Sequence, residues 1–194
     1  VMGHRDKIMK TTKLLYLEDF NLFDTTAQVL SVLTINDRTT IVLDQTNFYP
    51  QGGGQPYDQG VIESPLGKFA VDEVRFVDGE VRHFGKFEHG KIEPGEVVQC
   101  SVDKIRRGLN SRIHSAGHVV DMAVTEFKLN WVPGKGYHFP EGPYVEYKGS
   151  LENLDKEILK TEIEKLCNGF IQEGRKTELR FMAKEMMSSV CHFV

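Results

Sequence analysis

Two histidines four residues apart are the clearest candidates for chemistry in this chain. His114 and His118 stand in Arg-Ile-His-Ser-Ala-Gly-His, within a region whose apolar spacing predicts a helix from about Asp103 to Lys128. Imidazoles at positions i and i+4 project from one side of a helix. A neutral pair in that arrangement is suited to binding one divalent metal ion, most often zinc. The spacing alone also fits two ordinary, half-buried helix histidines.

The same motif argues against a zinc peptidase. Such an enzyme needs a glutamate directly after the first histidine, as in His-Glu-x-x-His. Ser115 occupies that position in this chain. A metalloprotease is therefore the least favoured of the metal-dependent activities.

A glycine-rich segment offers a second candidate site. Residues 47–60 read Asn-Phe-Tyr-Pro-Gln-Gly-Gly-Gly-Gln-Pro-Tyr-Asp-Gln-Gly and lie between two strand-like stretches. Three consecutive glycines, Gly52-Gly53-Gly54, predict a sharp turn at which the backbone can approach a ligand closely. Gln55 follows the turn and provides both an amide donor and a carbonyl acceptor. The alternative is a glycine hairpin whose amides are solvated.

Charge and composition restrict the function classes. The net charge of −4 argues against a general nucleic-acid coat protein. A local cluster of Lys104, Arg106, Arg107 and Arg112 at the start of the histidine helix could still contact a structured RNA, although four cations on a helix also fit a solvated face.

The cysteines and the apolar pattern indicate a compartment. Three scattered cysteines, Cys100, Cys167 and Cys191, form neither a disulfide framework nor a Cys-x-x-Cys pair, which favours a reducing environment. No apolar run approaches the length of a membrane span, and no signal-peptide pattern is present. We therefore expect a cytoplasmic protein without a membrane partner. Residues 1–8 precede an internal Met9 and are interpreted as an expression remnant.

The first half of the chain predicts a small β-rich domain over residues 1–100. The expected strands cover residues 27–35, 40–43, 61–62, 69–76, 81–84 and 97–102. Asp78-Gly79 between two apolar stretches is a hairpin signal. Several short strands at this spacing favour a barrel or a twisted meander.

The second half predicts an α+β domain over residues 101–194, with helices packed on an antiparallel sheet. After the histidine helix we expect a loop at 132–136, a strand at 144–147, a helix from about Asn153, a strand at 176–181 and a short helix at 183–187. The expected inward-facing residues are Ile105, Leu109, Ile113, Ala116, Val120, Ala123 and Phe127 on the first helix, and Leu154, Ile158, Ile163, Leu166 and Phe170 on the second. A cleft between the two halves is the expected place for a site.

The two motifs together resemble one family. The loop from Thr46 to Gly60 followed by His114-Ser115-Ala116-Gly117-His118 is similar to the alanyl-tRNA synthetase editing domain and its free-standing relatives, the AlaX proteins. The resemblance extends over nearly the whole chain from about Met9, with the motifs in the same order. It implies a hydrolase that removes serine, and in some cases glycine, wrongly attached to alanine tRNA. It also implies a β-rich half that carries the glycines and an α+β editing core that carries the histidines.

The resemblance also implies a ligand set and residue roles. One zinc ion would be held by His114 and His118 together with a Cys-x-x-x-His pair, and Gln55 would lie close to the aminoacyl group. This chain contains no Cys-x-x-x-His pair. Phe193-Val194 fits the stretch that precedes the zinc cysteine in the family, so we expect the last two ligands beyond Val194 and an editing core that is incomplete at its C-terminus. Cys191 and His192 are weaker candidates, because adjacent side chains rarely converge on one tetrahedral ion.

Roles for the remaining candidates follow from the chemistry of ester hydrolysis. We expect the metal to orient substrate or water, while Gln55 and the backbone amides of Gly53 and Gly54 hold the aminoacyl group or the oxyanion. Gln55 and Thr46 are the candidates for recognising the serine hydroxyl, and Asp121 for orienting a metal ligand. Phosphate contacts of the tRNA are assigned to Lys104, Arg106 and Arg107, with Lys135 as a further candidate. No DNA partner is expected, and the sequence sets no oligomeric state.

Two other functions stay open at this point. Gly53-Gly54-Gln55 also resembles the Gly-Gly-Gln tip of peptide release factors, which need no histidine helix. A non-catalytic module that binds tRNA or a synthetase, with a degenerate metal site, is the other alternative.

Overall fold

The computed structural model describes residues 11–178, 180–187 and 189. Its N-terminal half is a closed barrel of six strands with antiparallel neighbours. These strands are β2 (Asp24–Ile35), β3 (Arg38–Leu43), β5 (Gly60–Ser64), β6 (Gly67–Val77), β7 (Glu80–Gly90) and β8 (Val97–Val102), and they close in the order β2-β3-β7-β6-β5-β8. A short β1 (Lys13–Leu14) pairs in parallel with β4 (Gln45–Thr46).

Alternating apolar side chains fill the barrel interior, because successive residues of a strand point to opposite faces. Ile41, Leu43, Ile62, Phe69 and Val74 are among the core residues that solvent does not reach. The predicted hairpin at Asp78-Gly79 is confirmed. Both residues have positive φ, 51° and 84°, which matches the strand twist at a two-residue turn.

The C-terminal half contains helices and a strand pair. Helix α1 (Lys104–Glu126) is followed by strands β9 (Val132–Tyr137) and β10 (Tyr144–Lys148), which pair antiparallel, and by helices α2 (Lys156–Gln172) and α3 (Lys184–Met187). Asp103 caps α1 by accepting hydrogen bonds from the backbone N–H groups of Ile105 and Arg106, at 2.9 and 3.0 Å. Helix α1 packs on α2 and contacts β10. The predicted α+β class with a barrel-like first half is therefore confirmed. Its division into two domains stays a prediction, and β8 ends at Val102.

Several local predictions for the second half are wrong. Residues 132–136 form most of β9 rather than a loop, and the described residues of 176–181 form no strand. Ile105, Leu109 and Ala116 are exposed, because the N-terminal part of α1 buries Arg107 and Asn110 instead. Ile158 of α2 is also exposed. Among the described residues, no helix is both long and apolar enough to cross a bilayer.

Candidate active site

The glycine-rich segment forms a tight turn that requires glycine. Gly52 and Gln55 exchange two backbone hydrogen bonds of 3.2 and 2.9 Å, and Gly53 and Gly54 between them have φ of +55° and +77°. A side chain at Gly54 would be strained by this backbone and would overlap the carbonyl oxygen of Gly136 in β9. The turn is therefore in direct contact with the β9–β10 pair.

Helix α1 places the two predicted histidines beside this turn. The rings of His114 and His118 stack with centroids 5.0 Å apart and an interplanar angle of 29°. A Cβ built on Gly53 of the turn would lie 3.7 Å from Cε1 of His114 on the helix. The i, i+4 spacing therefore brings both imidazoles to one side of the helix, as the sequence predicts.

A hydrogen bond joins the turn to the helix. Nδ1 of His114 lies 2.9 Å from Oε1 of Gln55, which is only 2% exposed. Since the amide oxygen can only accept, the ring proton is on Nδ1 and the lone pair is on Nε2. Nε2 of Gln55 is buried and has no hydrogen-bond partner among the described residues. Burial lowers the pKa of His114 to about 4, and the neighbouring His138 and His118 add to this effect.

The second histidine has a carboxylate beside it. Nδ1 of His118 lies 3.3 Å from Oδ2 of Asp121, and the other oxygen of Asp121 accepts a hydrogen bond from the Tyr147 hydroxyl on β10. Burial, followed by this bond to Asp121, raises the pKa of Tyr147. Asp121 favours the proton on Nδ1 of His118, which leaves Nε2 as the free nitrogen.

A third histidine, His138, belongs to the same cluster. Its ring stacks on His114 with centroids 4.5 Å apart, and its backbone N–H donates to the carbonyl of Gly54 at 2.9 Å. Burial and the neighbouring His118 lower its pKa, while Asp121 opposes the shift. The ring occupies space next to Gly117 of α1, where a Cβ would overlap it. Sequence reasoning missed His138, because it lies just after β9 and shares no helical spacing with the other two.

These groups line a cleft of about 420 Å³ between the barrel and the second half. The lining comprises Gly53, Gly54, His114, His118, Asp121, residues 133–138 and residues 144–146. Residues from the turn, from α1 and from the β9–β10 pair therefore share one cavity.

The donor set matches part of a zinc site. His114 and His118 each have Nδ1 next to an oxygen acceptor, so each can offer Nε2, the arrangement usual for metal-bound imidazoles. Among the described residues, no group of three or more His, Cys, Asp and Glu side chains converges as a metal site. The two histidines therefore fit two zinc ligands. The weaker candidates Cys191 and His192 lie outside the described residues.

Comparison with known proteins decides the family. The family model for tRNA synthetases class II (A) matches residues 4–106, more than half of the chain. This chain belongs to that family. It is 36% identical over 129 residues to an alanine–tRNA ligase of Paraburkholderia phytofirmans, which is 65% of this chain and 13% of that protein.

Two further relatives carry the same name. An alanine–tRNA ligase of Paraburkholderia xenovorans is 36% identical over 120 residues, 61% of this chain and 12% of the relative. One of Burkholderia mallei is 35% identical over 121 residues, covering 62% and 12%. The chain therefore spans about an eighth of the length of these ligases. The resemblance to the alanyl-tRNA synthetase family, inferred from the two motifs, is confirmed.

One residue assigned to phosphate contact is a structural group in this member of the synthetase family. Arg107 is 1% exposed, and its Nε donates to both oxygens of Asp58 at 2.9 and 2.8 Å. Its Nη1 and Nη2 donate to the carbonyls of Phe20 and Asn47 at 2.7 and 2.6 Å. The prediction for Arg107 is wrong, because the guanidinium is fully used in holding α1 to the barrel.

The other two basic residues stay near the surface. Lys104 forms a 3.1 Å ion pair with Asp24, with its side chain 62% exposed. Nε of Arg106 donates to the carbonyl of Tyr57 at 3.0 Å, and the guanidinium lies over the Tyr57 ring. Each side chain could bind a polyanion only by giving up its present partner or by contacting the polyanion in addition to that partner.

Thr46 is not presented to the cleft. Its side chain is fully buried, and its hydroxyl lies 2.8 Å from Nε2 of His83 in the barrel and accepts from the N–H of Phe48 at 3.1 Å. Nδ1 of His83 faces the carbonyl of Ile41 at 3.0 Å, so Thr46 donates to Nε2. The predicted contact between Thr46 and substrate is wrong in this structure, because His83 of β7 takes up the hydroxyl.

Proposed function

We propose that this chain hydrolyses the ester of mischarged alanine tRNA, removing serine and in some cases glycine, with one zinc ion held by His114 and His118. The observation that carries the proposal is the 2.9 Å contact between Gln55 and His114. It joins the two motifs on which the resemblance to editing domains rests, and it does so beside a cleft.

The chemistry requires an oriented water and a group that stabilises charge on the carbonyl oxygen. When bound, zinc would supply Lewis acidity and a water of lowered pKa. The residues of this chain provide binding and orientation. Gln55 holds the His114 ring in the tautomer that leaves Nε2 free, and Asp121 does the same for His118.

Gln55 and the turn are the proposed contacts for the reacting ester. Nε2 of Gln55 is a buried donor without a partner among the described residues, and such a group is stabilised by a ligand that accepts from it. The N–H groups of Gly53 and Gly54 are not used by the two hydrogen bonds that close the turn. We assign these donors to the substrate carbonyl or the oxyanion that forms from it.

Selectivity for serine over alanine would depend on a hydrogen bond to the serine hydroxyl, which alanine lacks. With Thr46 buried against His83, Gln55 is the remaining member of the predicted pair. The tRNA phosphates are assigned to Lys104, Arg106 and Lys135, of which Lys135 lines the cleft itself. We expect this activity in the cytoplasm, where aminoacylated tRNA is used.

A non-catalytic module that binds tRNA or a synthetase is the second candidate. It needs only the cleft and the two imidazoles seen among the described residues, without the two further ligands that zinc-dependent hydrolysis would require. Only the first candidate hydrolyses the ester, so an assay of hydrolysis separates the two.

The test is release of amino acid from Ser-tRNA and Ala-tRNA of the alanine type by the full-length, zinc-loaded protein. We expect rapid loss of serine, with alanine spared, and loss of activity with a zinc chelator or in His118→Ala. His89→Ala, an exposed histidine of the barrel, is the matched control and should retain full activity. If the zinc-loaded protein does not hydrolyse either substrate, the enzyme proposal is contradicted and the binding module is favoured. In a parallel assay with peptidyl-tRNA, release of peptide that survives His118→Ala would favour the release-factor alternative.

A further inference from the structure

Three aromatic rings form a nearly parallel stack at the rim of the cleft. Tyr137 and Tyr144 are opposite each other in the β9–β10 pair, and their ring centroids are 5.4 Å apart at an angle of 19°. Phe139 stacks on Tyr137 at 4.4 Å and 12°. Both tyrosines line the same cleft as His114.

This stack differs from the aromatic pairs of the barrel half. There Phe69 and Phe87 meet edge to face at 67°, and Phe48 meets His83 at 76°. Tyr144 and Tyr137 are instead 46% and 37% exposed. Parallel, exposed aromatic faces are the kind of surface on which nucleobases stack, since every base has a flat π-face of its own.

The surroundings of the stack suit a nucleic acid. Lys135 precedes Tyr137 in β9 and lines the cleft, and Lys148 at the end of β10 is exposed. Lysines beside a stacking surface provide the positive charge that follows a sugar–phosphate backbone. An unpaired nucleotide therefore fits this rim in shape, and the two lysines offset the carboxylate of Glu146, which also lines the cleft.

We propose that the Tyr137–Tyr144 stack receives the unpaired terminal base at the 3′ end of the RNA, next to the ester. This inference rests on the proposed function, because the terminal ribose of an aminoacyl-tRNA carries the ester. A carbonyl group held beside Gln55 and His114 is covalently attached to that ribose, so its base must lie within one nucleotide of the cleft. The rim formed by Tyr144 and Tyr137 is the aromatic surface in this cleft.

The test uses an acceptor-stem RNA hairpin that carries no amino acid and whose terminal adenine is replaced by 2-aminopurine. The fluorescence of this base is quenched by stacking. We expect quenching by the wild-type protein and by Tyr144→Phe, which keeps the ring. Tyr144→Leu should lose the quenching and bind the hairpin about tenfold or more weakly, as expected for one lost base–aromatic contact. Phe76→Leu is the matched control, because Phe76 is 51% exposed on the barrel and does not line the cleft.

Three results would overturn the inference. These are unchanged quenching by Tyr144→Leu, no binding of the hairpin by the wild type, and equal binding of a hairpin that lacks the terminal nucleotide. Absence of binding would point to a protein segment as the occupant of the stack, whereas equal binding of the shortened hairpin would place the RNA contacts elsewhere on the protein. Hydrolysis of Ser-tRNA, measured in parallel, separates the two proposals: quenching without hydrolysis would contradict the proposed function alone, and hydrolysis without quenching would contradict the base site alone.

Discussion

Two histidines of this protein, one in the barrel and one in the cleft, have a similarly lowered pKa but differ in what surrounds their ring nitrogens. Burial lowers the pKa of both His83 and His114 to about 4. His83 is fully enclosed, and both ring nitrogens have partners in Ile41 and Thr46. His114 is only partly buried, uses one nitrogen, and stacks against two other imidazoles. A lowered pKa therefore marks a functional histidine only when a free nitrogen faces a cavity.

The largest effect should come from the contact that joins the two regions. Arg107→Met leaves Asp58 buried without its partner, and we expect the free energy of unfolding to fall by about 3–5 kcal/mol. Urea denaturation followed by circular dichroism measures the change. Arg106→Met is the control and should cost under about 1 kcal/mol, since Arg106 keeps contact with solvent. Equal losses in the two variants would contradict the structural role of Arg107.

Substituting His114 and His83 one at a time should have opposite effects on activity and on stability. We expect His114→Ala to reduce deacylation of Ser-tRNA by about 100-fold or more, because it removes a proposed zinc ligand and the partner of Gln55. The free energy of unfolding should fall by only about 1 kcal/mol. His83→Gln should show the reverse, with lower stability and wild-type activity per folded molecule. If His83→Gln loses activity while it remains folded, the distinction between a structural His83 and a functional His114 is contradicted.

The pH dependence of stability tests His83 directly. The folded pKa is depressed to about 4, whereas an unfolded histidine has its ordinary pKa of about 6.5. The unfolded chain therefore binds more protons between these values, and the contribution of His83 is complete above pH 6.5 and decreases as the pH falls toward 4. We expect a loss of about 2 kcal/mol from this residue between pH 6.5 and 5.

The measurement is the free energy of unfolding at several pH values for the wild type and for His83→Gln. The slope for the variant should be smaller by about 1 kcal/mol per pH unit, since His114 and His138 contribute equally to both proteins. Identical slopes would mean that His83 is not the buried neutral imidazole described here.

The smallest expected effect concerns the carboxylate beside His118. Asp121→Asn should weaken zinc binding by about 10-fold, because the group that favours the proton on Nδ1 becomes neutral. Zinc affinity is measured by competition with a chromophoric chelator, and thermal stability should change little. Tyr147→Phe, which removes only the hydroxyl bound to Asp121, should weaken binding less. A stronger effect of Tyr147→Phe than of Asp121→Asn would contradict the proposal that Tyr147 acts on His118 only through Asp121.

Sequence patterns predicted those parts of the molecule that depend on neighbouring residues. The alternating strands, the Asp78-Gly79 turn and the Asp103 cap each follow from local conformational preferences. The histidine pair follows from helix geometry, and its closeness to Gln55 follows from the family resemblance.

The errors involve partners that are distant in the sequence. Thr46 pairs with His83, 37 residues away, and Arg107 pairs with Asp58, 49 residues away. Apolar spacing assigned Ile105 and Leu109 to the core. This was wrong because α1 packs on the barrel through the buried Arg107. Pro133 and two glycines indicated a loop, but pairing with β10 overrides their low strand propensity. His138 enters the site only through that pairing.

The junction between β8 and α1 determines which side of α1 faces the glycine-rich turn. The strand ends at Val102, Asp103 caps the helix, and α1 begins at Lys104, so no linker separates the barrel from the histidines. One residue inserted there would turn the helix by about 100° and advance it by about 1.5 Å. His114 would then point away from Gln55. The barrel therefore sets the rotational position of the histidine helix, and viable insertions in this family should avoid the junction.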